Sequence, residues 1–115
     1  MNRILLKSKI HCATLTGLEL HYEGSIAIDE DLLDAADILP GEQVHVLNEN
    51  NATRITTYAI KAPRGSGTML LNGPAARLGT VGDKVVILAY AQVADEMARE
   101  YKATIVKVDD ANKSL

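Results

Sequence analysis

The chain has no tryptophan and no phenylalanine; four tyrosines are its only Phe, Trp or Tyr residues. Platforms for stacking nucleic-acid bases are therefore nearly absent. A basic surplus is also missing, since 12 Lys and Arg against 15 Asp and Glu leave a net charge of −3. That balance is a poor match for a phosphate backbone, and no nucleic-acid partner is expected. The single cysteine, Cys12, excludes an intramolecular disulfide and suits a reducing cytoplasm. No apolar run is long enough to cross a membrane, so no membrane partner is expected. The start, Met1-Asn2-Arg3-Ile4-Leu5-Leu6-Lys7, has three consecutive apolar residues between charges and does not read as a signal peptide. The expected location is cytoplasmic.

What the chain does have is aliphatic. A hydrophobic fraction of 47% in 115 residues suits one compact domain spanning the whole chain. A core this small buries limited surface, and the aliphatic surplus points toward subunit interfaces. Strand-like runs at Ile4–Ile10, Ser25–Ile28, Gln43–Leu47, Thr53–Ile60, Thr68–Leu71, Lys84–Ala91 and Thr104–Val108 alternate or are rich in β-branched residues. Turn signals at Pro40-Gly41, Asn48–Asn51, Pro63–Gly67, Asn72-Gly73-Pro74 and Gly82-Asp83 separate them. The spacing predicts a mainly β chain, a small barrel rather than a βαβ sheet.

Short helices fit between the strands. Asp29 can cap one whose Leu32, Leu33 and Ala36 share an apolar face before Pro40-Gly41 stops it. A second, Pro74–Leu78, has proline in its first turn and Gly79 as terminator. Ala94–Tyr101 can form a helical turn, and the polar tail Asp109–Leu115 is expected to fray. The three histidines, His11, His21 and His45, lack a His-x-x-x-His spacing, so no metal site is predicted. Cys12 reads as a small packing residue.

One dipeptide offers unusual chemistry. In Glu23-Gly24-Ser25-Ile26, a strained turn would present the Ser25 hydroxyl to the Gly24 carbonyl. Attack there converts the amide to an ester. β-Elimination then releases Gly24 as a new C-terminus, and hydrolysis leaves a pyruvoyl group at position 25. The same residues also read as an ordinary tight turn before a strand.

The surroundings give the pair its meaning. The run His21-Tyr22-Glu23-Gly24-Ser25-Ile26-Ala27-Ile28-Asp29 resembles the self-cleavage segment of the pyruvoyl-dependent aspartate 1-decarboxylases. Further matches follow in register: Lys9-Ile10-His11, Arg54–Ile60, Arg64-Gly65-Ser66, Leu71–Ala76 and Val81–Ile87. The resemblance implies a double-psi β-barrel and a homotetramer with active sites between neighbouring subunits. It also implies conversion of L-aspartate to β-alanine and CO2 for pantothenate and coenzyme A synthesis. Whether a second protein assists cleavage stays open.

The resemblance also implies roles. Ser25 supplies the pyruvoyl cofactor, whose ketone condenses with the substrate amine and draws off the electrons left by CO2. Arg54 grips a substrate carboxylate, helped by Lys9 and His11. Tyr58 is the proton donor and Thr57 assists processing through the Gly24 carbonyl. Asn72 can donate to a developing oxyanion, or simply serve Asn-Gly turn chemistry. Small residues at Gly73, Ala75 and Ala76 permit close backbone approach to a ligand; Pro74 offers no N–H. Leu47, Cys12 and Ile55 depart from the tryptophan, arginine and phenylalanine of better-known members, which alters the pocket shape. Thr57 and Tyr58 are adjacent on a strand and should face opposite ways. They can serve one site only if the strand twists or if they face different subunits. The competing reading is an uncleaved small β-barrel acting as a binding or oligomerisation module, which the acidic charge and the ordered motifs disfavour.

Overall fold

A computed structural model describes residues 1–115. Eight strands form one sheet in the order β2-β6-β3-β5-β4-β7-β1-β8. They are β1 (Asn2–Thr14), β2 (Gly17–Glu19), β3 (Ser25–Asp29), β4 (Gln43–Asn48), β5 (Arg54–Ala62), β6 (Met69–Asn72), β7 (Lys84–Ala94) and β8 (Thr104–Lys107). The chain is mainly β, as expected, and the layout suits a small barrel. Pairing is mixed: β1 with β8, β2 with β6 and β3 with β5 run parallel, the others antiparallel.

Alternation explains which residues face the core. Val44 and Val46 on β4 are buried at every second position, while Val85 and Ile87 on β7 and Ile26 and Ile28 on β3 lie in runs, 85–89 and 25–29, that are buried at every residue. With Ile10, Leu15, Leu32, Leu33, Met69 and Leu71 they make one continuous cluster. Fully burying a side chain of this kind stabilises the fold by about 1.5–3 kcal/mol.

Helix α1 (Glu30–Ala36) forms where predicted. The Asp29 carboxylate caps it by accepting from the Asp31 N–H at 2.9 Å, and Leu32, Leu33 and Ala36 are buried. It ends before Pro40-Gly41, because Asp37 turns into the left-handed region at φ 55°. Arg64 spans the acidic side of this helix, donating to Asp31 and Asp34 at 2.7 Å each. Residues Gly73–Leu78 form a 3-10 turn with Pro74 near its start. Gly79 follows it, but with an extended backbone at φ −147°. Its role is spatial, since a Cβ there would sit 2.7 Å from Leu15 Cδ1. Helix α2 (Asp95–Ala98) is a single turn inside the predicted stretch.

Two features differ from expectation. Strand β2 carries no alternating run long enough to announce it, and it forms by pairing with β6. The tail does not fray. Asn112 is buried, accepts from the Thr14 N–H at 2.7 Å and donates to the Thr14 and Gly67 carbonyls at 2.8 Å each. Val108 and Ser114 also pair. A polar tail lacks apolar anchors, so its composition suggested mobility; one buried amide supplies the anchor instead.

Candidate active site

The Gly24-Ser25 bond lies where an exposed loop enters β3. Gly24 is exposed, whereas Ser25 is fully buried. Ser25 pairs with Asn72 across β3 and β6, and Asn72 Nδ2 donates to Ser25 Oγ at 3.0 Å. Asn72 is itself buried, so the amide is fixed on the serine oxygen. Its backbone is extended at φ −107° while Gly73 takes φ 71°. The Asn-Gly dipeptide thus makes the turn read from the sequence, and the Asn72 side chain donates to the serine hydroxyl.

Gly73 serves a neighbour the sequence did not suggest. A Cβ at this position would lie 2.7 Å from the Tyr22 carbonyl oxygen and 2.9 Å from both Gly24 Cα and Gly24 N. The close backbone approach is thus to the chain's own Tyr22–Gly24 segment. Ala75 lines a cavity of about 310 Å³ with Gly24, Ile55, Thr56, Thr57, Pro74 and Leu78. The Ala76 side chain is buried.

Strand β5 runs alongside. It pairs in parallel with β3 through Ile26 and Ala59. Continuing that register backward sets Ser25 level with Tyr58 and Gly24 level with Thr57. Thr57 shares the cavity with Gly24, and no hydrogen bond joins the two. Tyr58 is 36% exposed and, by alternation, projects to the other face of the strand from Thr57.

The cations lie elsewhere. Arg54 is four residues before Tyr58, roughly 13 Å along the strand. Its guanidinium turns away from β3: one nitrogen lies 3.0 Å from His45 Nδ1 and donates to the Tyr90 hydroxyl at 2.9 Å. The His45 and Tyr90 rings meet edge to face with centroids 5.0 Å apart. These holders were missed from sequence, although hairpin arithmetic across the Asn48–Asn51 turn pairs Leu47 with Arg54 and sets His45 nearby. Lys9 and His11 sit on β1, separated from β5 by β4 and β7. Both are half-buried, and neither joins an ion pair. From β3 to β1 is four strand spacings, roughly 19 Å along the sheet.

Asp29, at the far end of β3, is held as an anion. Burial alone would raise its carboxyl, but N–H groups of Gly67, Asp31 and Gly65, with Lys113 nearby, outweigh burial and lower it below the ordinary carboxylate value. This anchor ties β3 to the loop before β6.

Gly24, Ser25, Thr57, Tyr58, Asn72, Gly73 and Ala75 thus lie on or beside neighbouring ends of β3, β5 and β6, while Arg54 is engaged by His45 and Tyr90, and Lys9 and His11 lie on β1. The arrangement defines a small, mainly β enzyme scaffold with a buried, amide-held serine behind an exposed glycine. The family of aspartate decarboxylases matches residues 1–115, and the chain belongs to it. It is 57% identical to an aspartate 1-decarboxylase of Leptothrix cholodnii over 98% of this chain and 86% of the relative. A second, from Thermoanaerobacter pseudethanolicus, is 53% identical over 100% of this chain and 98% of its own length.

Proposed function

We propose that this chain cuts itself between Gly24 and Ser25 and then decarboxylates L-aspartate to β-alanine and CO2, a product that feeds pantothenate synthesis. The observation that carries the proposal is the buried Ser25 oxygen held by Asn72 directly behind the exposed Gly24. In the cleavage, Ser25 Oγ adds to the Gly24 carbonyl and the peptide nitrogen leaves, giving an ester. Elimination releases the Gly24 carboxylate, and water then replaces the nitrogen at position 25 as ammonia departs. Asn72 fixes the attacking oxygen, and the Thr57 hydroxyl is level with the carbonyl that must be polarised.

The residues fit the resulting pyruvoyl group, because serine is the type that supplies both the attacking oxygen and the β-elimination. Formed at position 25, that group supplies an electron sink for decarboxylation. Arg54 binds the substrate's distal carboxylate, for which a guanidinium offers paired donors. Lys9 and His11 add positive and hydrogen-bonding contacts. Tyr58, level with Ser25, returns a proton to the carbon that loses CO2. N–H groups of Gly73, Ala75 and Ala76 orient the substrate.

Because Arg54 is engaged by His45 and Tyr90, and Lys9 and His11 lie on β1 rather than on the strands around Ser25, the complete site in this reading forms between copies, in a homotetramer. Thr57 and Tyr58 can then act on different sides of one strand. Intact-mass spectrometry tests the reading. Fragments 1–24 and 25–115 are expected, the larger with a ketone at its start, together with β-alanine from added aspartate. Ser25→Ala should remain full length. Persistence of uncut native chain after prolonged warming, or cutting in the serine variant, would refute it.

A further inference from the structure

Consecutive residues on a regular strand point to opposite faces, so His11 and Cys12 should not meet. Strand β1 breaks that rule. Its register against β7 shifts between Ile10 and Ala13, and Cys12 takes the left-handed conformation at φ 61°. Such a bulge re-aims side chains. Here it gathers a His11 ring nitrogen, Cys12 Sγ and a Glu49 carboxylate oxygen within 4.8 Å of one another.

One donor atom of this corner lacks a partner, and the other two have only each other. The Nδ1 atom of His11 is buried and makes no hydrogen bond. Cys12 Sγ approaches Glu49 Oε1 at 3.5 Å. Burial pushes the Cys12 thiol up, and Glu49 pushes it further by hydrogen bond and charge. The nearby cation, Lys84, is engaged by Thr14 and Asp110 at 2.6 and 3.0 Å. A metal ion would offset both the orphaned nitrogen and the crowded acid and thiol.

We propose that His11, Cys12 and Glu49 form a binding site for a borderline-soft divalent cation such as zinc. Imidazole, thiolate and carboxylate are the donor types zinc takes, with a fourth position left for water. Magnesium and calcium prefer oxygen donors and fit less well. Binding forms a metal–sulfur bond, and the thiol proton passes to solvent. Glu49 is exposed, so its side chain is free to adjust to a bound ion.

This goes beyond the decarboxylation reading but shares His11 with it, so the test reads the metal directly. Cobalt(II) is titrated into the full-length protein and followed by absorption. Expected are a saturable thiolate-to-cobalt band at one equivalent, release of a proton, and loss of the band on adding zinc. Cys12→Ser should abolish the band. Glu49→Gln, at an exposed side chain, should keep the fold and weaken binding roughly tenfold or more. No thiolate band in the native chain, or unchanged affinity in both variants, overturns the site. β-Alanine formation is measured on the same preparation before cobalt is added, freed of metal by a chelator, because metal on His11 would itself block substrate. Activity there with no band on titration sinks the metal site alone; a band on titration with no activity in the metal-free protein sinks the catalytic reading alone.

Discussion

Strand β5 borders two regions built on different physics. Around Thr57 and Tyr58 it flanks a packed end, where Ser25 and Asn72 are buried and Gly73 leaves no space for a side chain. Around Arg54 it flanks an open face, where a charged group is steered by the His45 ring and the Tyr90 hydroxyl. The packed end controls geometry: a fixed oxygen behind a fixed carbonyl, with little freedom to lose. The open face controls charge, and its contacts are individually modest. In the proposed reading, the first kind of region makes the cofactor and the second grips the diacid.

The sharpest way to break this contrast is Gly73→Ala. A Cβ would push on Tyr22 and Gly24 and would have to tolerate φ 71°. A displacement of about 1 Å at reacting groups can cost on the order of 10²-fold. Self-cleavage should therefore slow by about that factor or more while circular dichroism still reports a folded β chain. Time-resolved intact mass decides it; normal cleavage would show that the packed end is not limiting.

Arg54→Ala probes the other side. Loss of one charged hydrogen bond costs about 1.5–3 kcal/mol. Aspartate kcat/KM should fall on the order of 10- to 100-fold, with the extent of cleavage unchanged. A variant that fails to cleave would merge the two regions into one.

The smallest effect concerns the anchor of β3. The folded Asp29 carboxyl lies below its unfolded value of about 3.9, so its stabilisation is present above that pH. It is lost as pH falls through the folded value, because protonation breaks the bonds to Gly65 and Gly67. Asp29→Asn should lower stability near neutral pH by about 1–3 kcal/mol and flatten the acid limb of a denaturation-versus-pH curve. An unchanged acid limb would remove Asp29 as the tether of the packed end.

Much of the scaffold was readable from local pattern. Alternating or β-branched runs located seven of the eight strands, and Asp29 announced its helix by a side chain suited to capping. β2 was illegible because three residues carry no period. The tail misled because its anchor is one amide, Asn112, whose partners Thr14 and Gly67 are remote in sequence. For the site, residue types and order pointed to Ser25, Asn72, Arg54 and Tyr58, but not to what each touches. Tyr90 as a holder of Arg54, and the His11–Cys12–Glu49 cluster, have no sequence signature, whereas His45 lay within reach of hairpin arithmetic.

By itself, then, the sequence determined the strands, the capped helix and the chemical types gathered around Gly24-Ser25, since these depend on side-chain chemistry and short-range period. Only the tertiary structure decided that Asn72 reaches Ser25, that Gly73 yields its space to Tyr22 and Gly24, and that Arg54 turns away from both. Those outcomes depend on sheet order, register and one bulge in β1, which set distances between residues far apart in the chain.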